Sequence, residues 1–590
     1  MRSSSLSAVF ISIFSLFMIS TNAYAVPHVF TNGQVADAND INANFNSLHA
    51  ADNIIQYQIV SGNTLLSSQS RLIVINSGNN IKMTLPEANT VPGRAYQIYK
   101  LEGFGVIDLS VASGNISGPF SDFRIKDAGK SELFSDGSAW RMLSGTGDFI
   151  HPLSKGYGIL ADIAADSSSS SPQYFTEFNG KVYFAADDIT NGRELWVSDG
   201  TAAGTTMVKD IYVGSSGSSP YGFIVFGSEL YFRASDSANG SELWKTDGTT
   251  AGTVLVKDIR VGTSGSSPTY MTIMGSHLYF YANDGTTGNE LWKSDGTTTG
   301  TNLIKDIRVG INSSSPSYLT VLGSNLYFVA NDGGTYGNEL WKSDGTTAGT
   351  NLLKDIQVGS GHGSPSNITE HNGDLYFTAN DGTTGTELWK SDGTTAGTNL
   401  LKDIYVGTNS SSPNYFTSVG NILYFSAQSA TDGHEPWITD GTTAGTNLLV
   451  DLVPGSGGSY VYGFAPAGQN VIMYAAGPQK VYAYNGTFAT EIWSGQVTNI
   501  KQNTYNSDYF LPFQGGVLYY GYLSPNWNLY WTDGTSSGTV AITDTSINTN
   551  SNSIVIGDKV YISMQDNNNS WGLELYILGG ATPPPEPIAP

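Results

Sequence analysis

Cysteine is absent from this chain of 590 residues, which excludes disulfides, a thiolate nucleophile and every cysteine metal site. Positive charge is scarce. Lys and Arg number 27 against 50 Asp and Glu, a net charge of −23 that argues against a phosphate backbone, so no nucleic acid partner is expected. Past the N-terminus no apolar run is long enough to cross a bilayer, and no integral span is expected. Histidine occurs only 7 times. What the chain has in quantity is glycine, 69 residues, with much Ser, Thr, Asn and Asp; such a turn-rich composition favours many short strands over helices.

Residues 1–25 read as an export signal: Arg2 supplies the positive region, Leu6 to Ile19 an apolar run, and Ala23-Tyr24-Ala25 a small-x-small cleavage site. The expected compartment is secreted, extracellular or on the cell surface. Residues 26–54 hold one short helical candidate, with Asp37 or Asp40 as cap and Ile41, Phe45 and Leu48 on one face. Residues 55–147 read as a small β domain with strands at Arg71–Ile75, Tyr96–Tyr99 and Val106–Leu109. The stretch 581–590 is Pro-rich and reads as a disordered tail.

The strongest signal is a repeat. Glu-Leu-Trp recurs at Glu194, Glu242, Glu290, Glu339 and Glu387, with Glu435-Pro436-Trp437 as a sixth copy, so the spacings are 48, 48, 49, 48 and 48 residues. Each copy continues as Ser/Thr-Asp-Gly-Thr, then Gly-Thr, then an apolar segment such as the one ending Lys305-Asp306-Ile307. Weaker copies at Asn485-Gly486-Thr487, Asp533-Gly534-Thr535 and Glu574-Leu575-Tyr576 bring the count to nine. One unit divides into four short strands, Tyr270–Met274, Leu278–Ala282, Glu290–Lys293 and Asn302–Ile307, with Asp-Gly marking a tight turn. Four antiparallel strands per unit define a propeller blade.

Circular closure decides between a propeller and a solenoid. The last unit lacks a fourth strand, while Gly158 to Ile163, ahead of the first full unit, matches it. A first strand that completes the last sheet leaves no open edge. The expected fold is therefore all-β: a propeller of about nine four-stranded blades over residues 158–580, closed by an N-terminal strand and preceded by a short helix and a small β domain. Alternation puts Tyr279 and Phe280 on opposite faces, and the Trp series reads as packing between blades.

Two resemblances accompany this reading. Leu85-Pro86-x-Ala88, Gly93-Arg94-x-Tyr96-x-Ile98 and Ser135-Asp136-Gly137-Ser138-x-Trp140 resemble a β module of phage tail fibres and bacterial surface proteins. Asn42-Ala43-Asn44-Phe45 is similar to a short helix ahead of exported repeat proteins. The tail-fibre likeness implies self-association into a homo-oligomer through the N-terminal module. Glu290-Leu291-Trp292-Lys293-Ser294-Asp295-Gly296-Thr297 and its equivalents resemble the bacterial ELWxxDGT-repeat, or hyalin-like, exported proteins, which implies fold and compartment more than activity.

Candidate site residues are the acidic turns between second and third strands: Asp188, Asp236, Asp284, Asp332, Asp381 and Asp432, each followed closely by the blade's Glu. Carboxylates and carbonyls are what Ca²⁺ takes, and Asp is equally suited to hold a turn. No catalytic residue is assigned. His277, His362, His371 and His434 occupy different repeat positions and form no zinc-binding pattern. The aromatic run Tyr519, Tyr520, Tyr522, Trp527, Tyr530 and Trp531 reads as irregular core or as a stacking surface. Together these features point to a non-catalytic adhesion protein that recognises an extracellular glycan or protein. A polysaccharide-acting glycosidase or lyase and a structural matrix component are the alternatives.

Overall fold

The computed structural model describes the strands between residues 57 and 150 by their backbone and, but for short interruptions, residues 158–578 with their side chains. The export signal, the helix over 26–54 and the tail 581–590 lie outside the described residues. The chain divides into two compact units, Met1–Lys155 and Gly156–Pro590.

In the first unit ten strands form two five-stranded sheets. The first six alternate between the sheets, so that Tyr57–Val60, Leu72–Ile75 and Ala95–Lys100 pair in parallel in one. Thr64–Leu65, Ile81–Leu85 and Ile107–Val111 do the same in the other. The three strands read from the sequence fall on observed ones.

The second unit is a nine-bladed propeller of antiparallel sheets. Blade 1 runs Gln173–Phe178, Lys181–Asp188, Gly192–Ser198 and Thr206–Lys209, and each later blade repeats the order. First strands of successive blades lie side by side around the axis. Blade 8 departs from the pattern: Gln496–Thr498 and Leu511–Phe513 both pair with Gly516–Leu523, so its innermost strand is split. In blade 8 Tyr519, Tyr520, Tyr530 and Trp531 are buried and belong to the core, while Tyr522 and Trp527 are half-buried and pack on each other at 5.2 Å.

Each apolar cluster lies between two blades. Tyr279 packs with Leu326 and Phe328 of blade 4, while Phe280 packs with Tyr231 and Leu243 of blade 2 beside Trp292. Period-2 alternation therefore shares one strand's aromatics between two neighbours.

The Asp-Gly-Thr turn serves the same joint. Asp199 Oδ1 accepts from the Thr201 N–H and hydroxyl, at 2.9 and 2.7 Å. Gly200 follows at φ +89°, and a Cβ there would lie 2.7 Å from the hydroxyl of Tyr561 in blade 9. Gly248 meets Tyr183 of blade 1 in the same way. Only glycine satisfies both the left-handed backbone and the close approach.

The Glu of Glu-Leu-Trp is a buried latch. Glu194 is fully buried and accepts the N–H groups of Ile211 (3.1 Å), Tyr212 (3.0 Å) and Ser218 (2.8 Å) and the Ser218 hydroxyl (2.5 Å), so it ties the third strand to the loop crossing into blade 2. Burial raises these carboxyls above their ordinary value against the lowering effect of the donors, Glu290 to about 6. Glu339 rises to about 7, and it receives only backbone donors because Gly363 stands where the other crossing loops have Ser.

Closure uses both devices at once. Gly158–Ala161 pairs antiparallel with Glu574–Leu578 and becomes the fourth strand of blade 9. Glu574 accepts the N–H groups of Ile163 (3.1 Å) and Ser170 (2.8 Å) and the Ser170 hydroxyl (2.5 Å). The ring is thus joined by the same latch that joins its interior blades.

Candidate functional site

The six acidic turns do not converge. Each sits in a different blade, and its carboxylate is used by its own loop. Asp284 Oδ1 accepts the N–H groups of Thr286 (2.7 Å) and Thr287 (2.8 Å), and Asp381 those of Thr383 and Thr384, both at 2.8 Å. Asp332 Oδ1 accepts from Gly334, Thr335 and Tyr336 at 3.1 Å each. Asp188 and Asp236 hold Asn191 and Asn239 through backbone and side chain. Asp432 takes the hydroxyls of Ser429 and Thr431, both at 2.8 Å. The Glu that follows each Asp faces the crossing loop instead. Among the described residues no three of His, Asp and Glu gather as a metal site would require.

A concave site does exist, on the axis. A cavity of about 610 Å³ is lined by the first strands of blades 3 to 8, among them Tyr270, Tyr318, Asn367, Tyr415, Gly463 and Tyr509. The first strands of blades 1 to 6 carry a bulge: in blade 1 the register with the second strand shifts between Gln173 and Thr176, and the same shift recurs in blades 2 to 6. The bulged residue takes a left-handed backbone. Tyr174 has φ +62°, Tyr270 +57°, Tyr318 +53°, Asn367 +55° and Tyr415 +56°. Blades 2 and 7 have Gly222 (+71°) and Gly463 (+76°) at this position. For tyrosine such a backbone costs on the order of 1–2 kcal/mol, which glycine avoids.

These tyrosines are partly exposed and clustered. Tyr174 meets Tyr221 edge-on at 5.0 Å between centroids, and Arg233 lies over the Tyr221 ring at 4.7 Å. On the far side of the ring Tyr415, Tyr462 and Tyr509 lie 5.3, 5.6 and 6.2 Å from one another. Burial first, then the neighbouring hydroxyls, pushes Tyr509 far above the ordinary phenol value, so it remains a neutral donor. The wall presents phenol hydroxyls and ring faces, with Asp508 as the one carboxylate among its described lining residues. Sequence reading missed this ring. Its signal was Ser-Pro-x-Tyr at Ser171, Ser267, Ser315 and Ser412, with Gly or Asn replacing Tyr in other blades.

No family model matches the chain. No curated protein matches it either. Among solved structures it is similar to a prolyl endopeptidase at 10% identity over 62% of this chain and 56% of that one, with a TM-score of 0.35. Oligopeptidase B from Leishmania major shares 11% identity over 55% of this chain and 48% of that one, TM-score 0.35. The β-propeller domain of the trilobed protease from Pyrococcus furiosus shares 13% over 56% of this chain and 99% of that one, TM-score 0.29. The chain thus spans about half the length of the first two, and at these identities the likeness shows the propeller fold alone. The expectation of a non-catalytic glycan or protein adhesin is corrected to this extent: the solved structures named above are peptidases that carry a propeller, and what they share with this chain is that fold.

Proposed function

We propose that the propeller is a peptide-handling module whose channel takes an extended, non-anionic polypeptide segment among the tyrosines of its first strands. The observation that carries the reading is the strained tyrosine ring. Glycine occupies the same left-handed position in blades 2 and 7, so the backbone does not need a side chain there. Tyrosine kept at a conformational cost in four blades is explained by what its ring and hydroxyl meet in the channel. The support from chemistry is threefold: neutral phenols donate to carbonyls, ring faces stack on apolar or cationic side chains, and a net charge of −23 repels anionic chains. The reading rests on the channel and takes nothing from the likeness to peptidases.

The test uses a fluorescein-labelled library of unstructured peptides, read by polarisation against the full chain and against Tyr318→Gly with Tyr415→Gly. Saturable binding of a peptide subset, weakened about tenfold by the double substitution, is expected, corresponding to about 1.4 kcal/mol. Equal binding by the variant, or no peptide bound at all, would refute the proposal.

A further inference from the structure

One face of the ring carries a feature that neither the fold nor the channel uses. The loops crossing from a fourth strand to the next blade carry an exposed valine in five consecutive blades: Val213 (83% exposed), Val261 (88%), Val309 (85%), Val358 (87%) and Val406 (81%). The residue before each varies as Tyr212, Arg260, Arg308, Gln357 and Tyr405, whereas valine recurs. A β-branched side chain in a turn gains nothing from propensity, and at this exposure it gains nothing from packing. Single exposed aliphatics need no explanation, but five at one repeat position form an arc.

The acidic turns share this face. Asn289, closing the turn that contains Asp284, donates its N–H to Ser313 Oγ of the crossing loop at 2.8 Å, and Thr386 does the same to Ser410 at 2.8 Å. A Cβ on Gly285 would lie 3.2 Å from Arg260 Nε, which sets Asp284 beside the loop of Val261. Along blades 1 to 5 the face therefore alternates valine with Asp188, Asp236, Asp284, Asp332 and Asp381, against Arg260, Arg308 and Arg193, the last ion-paired to Asp187 at 2.7 Å. A second copy of the chain would bring like charge onto like charge.

We infer that this arc is a docking surface for a basic protein partner that presents aliphatic or aromatic side chains between its Lys and Arg residues. The aliphatic tips supply the desolvated contacts and the aspartates the steering and register. This surface is separate from the channel, and binding at one does not require the other.

The experiment uses three labelled amphipathic helical peptides, Lys/Leu, Glu/Leu and Lys/Ser, titrated into the full chain and into a variant with Val213, Val261, Val309, Val358 and Val406 all changed to Ser. At more than four-fifths exposure these substitutions leave the fold intact, which an unchanged melting temperature verifies. The expected result is salt-sensitive binding of Lys/Leu, at least about tenfold tighter than either other peptide and about tenfold weaker in the Val→Ser variant. The Tyr318→Gly/Tyr415→Gly variant binds Lys/Leu unchanged, so failure here is distinguishable from failure of the channel reading. Binding of Lys/Leu unaffected by the Val→Ser changes, or Glu/Leu bound equally well, overturns the proposal. A dimer in sedimentation that the Val→Ser variant abolishes overturns it in favour of self-association.

Discussion

Removing the closing latch should open the ring at one defined joint, and Glu574→Ala is the perturbation that does it. In the wild type this fully buried carboxyl receives three donors, from Ile163 N, Ser170 N and Ser170 Oγ. Alanine strands the two amides and leaves the hydroxyl to find another acceptor. An unsatisfied buried donor costs about 1–3 kcal/mol, so the two amides together imply a loss of about 2–6 kcal/mol, enough to release Gly158–Ala161 from blade 9. The pH dependence has a definite sign. Burial, only partly offset by the Ser170 donors, raises the folded carboxyl from 4.5 to about 7, so the folded ring binds a proton that the unfolded chain gives up. The stability it contributes is complete below about 4.5 and is lost as pH rises through about 7. Denaturant melts at pH 5 and pH 8 read the slope, and proteolysis of the 158–171 segment reads the joint. Glu574→Gln should keep the packing while flattening the slope. An alanine variant with wild-type stability and an uncut segment would falsify the latch.

Further expectations are more local. Gly200→Ala, which meets both a left-handed backbone and the Tyr561 hydroxyl, should destabilise by about 2 kcal/mol or more in urea melts, whereas Gly214→Ala, with open space around its Cβ, should pay only the backbone strain. Tyr318→Gly, at a residue 40% exposed with φ +53°, should leave stability within about 1 kcal/mol, because relief of strain offsets the lost contacts; a loss above 2 kcal/mol would show that the ring is structural. Trp292→Ala should cost about 3–5 kcal/mol through the cavity left between blades 2 and 3, with Trp292→Phe recovering part of it.

The repeat made most of the architecture legible. Glu-Leu-Trp and Asp-Gly-Thr recur because the latch and the turn are local devices that each blade needs, and a local device leaves a periodic mark. Closure was legible too, since Gly158–Ile163 matches the strand absent at the other end. What the spacing could not convey was direction. Asp284 and Glu290 are close in sequence and are open to reading as oxygen ligands or, for the Asp, as a turn-holder; Asp284 closes its own turn and Glu290 is buried against the crossing loop. The channel tyrosines were missed because alternation within Thr269–Met274 assigns sides to a regular strand, and the bulge breaks that regularity. Exchange of Tyr, Gly and Asn at one repeat position was the available mark of a left-handed residue.

The joining of Gly158–Ala161 to Glu574–Leu578 also sets a clock on biosynthesis. The two halves of blade 9 are separated by more than 400 residues, as the 411-residue span from Ile163 to Glu574 shows. At a synthesis rate of about 5–20 residues per second the first strand waits on the order of 20–80 s for its partner. During that interval Leu160 and the face of blade 1 bearing Phe175 and Phe184 have no blade 9 to cover them. The interior joints each need only blades adjacent in sequence, whereas the last joint needs both ends of the array before the molecule stops exposing an open sheet edge to other chains.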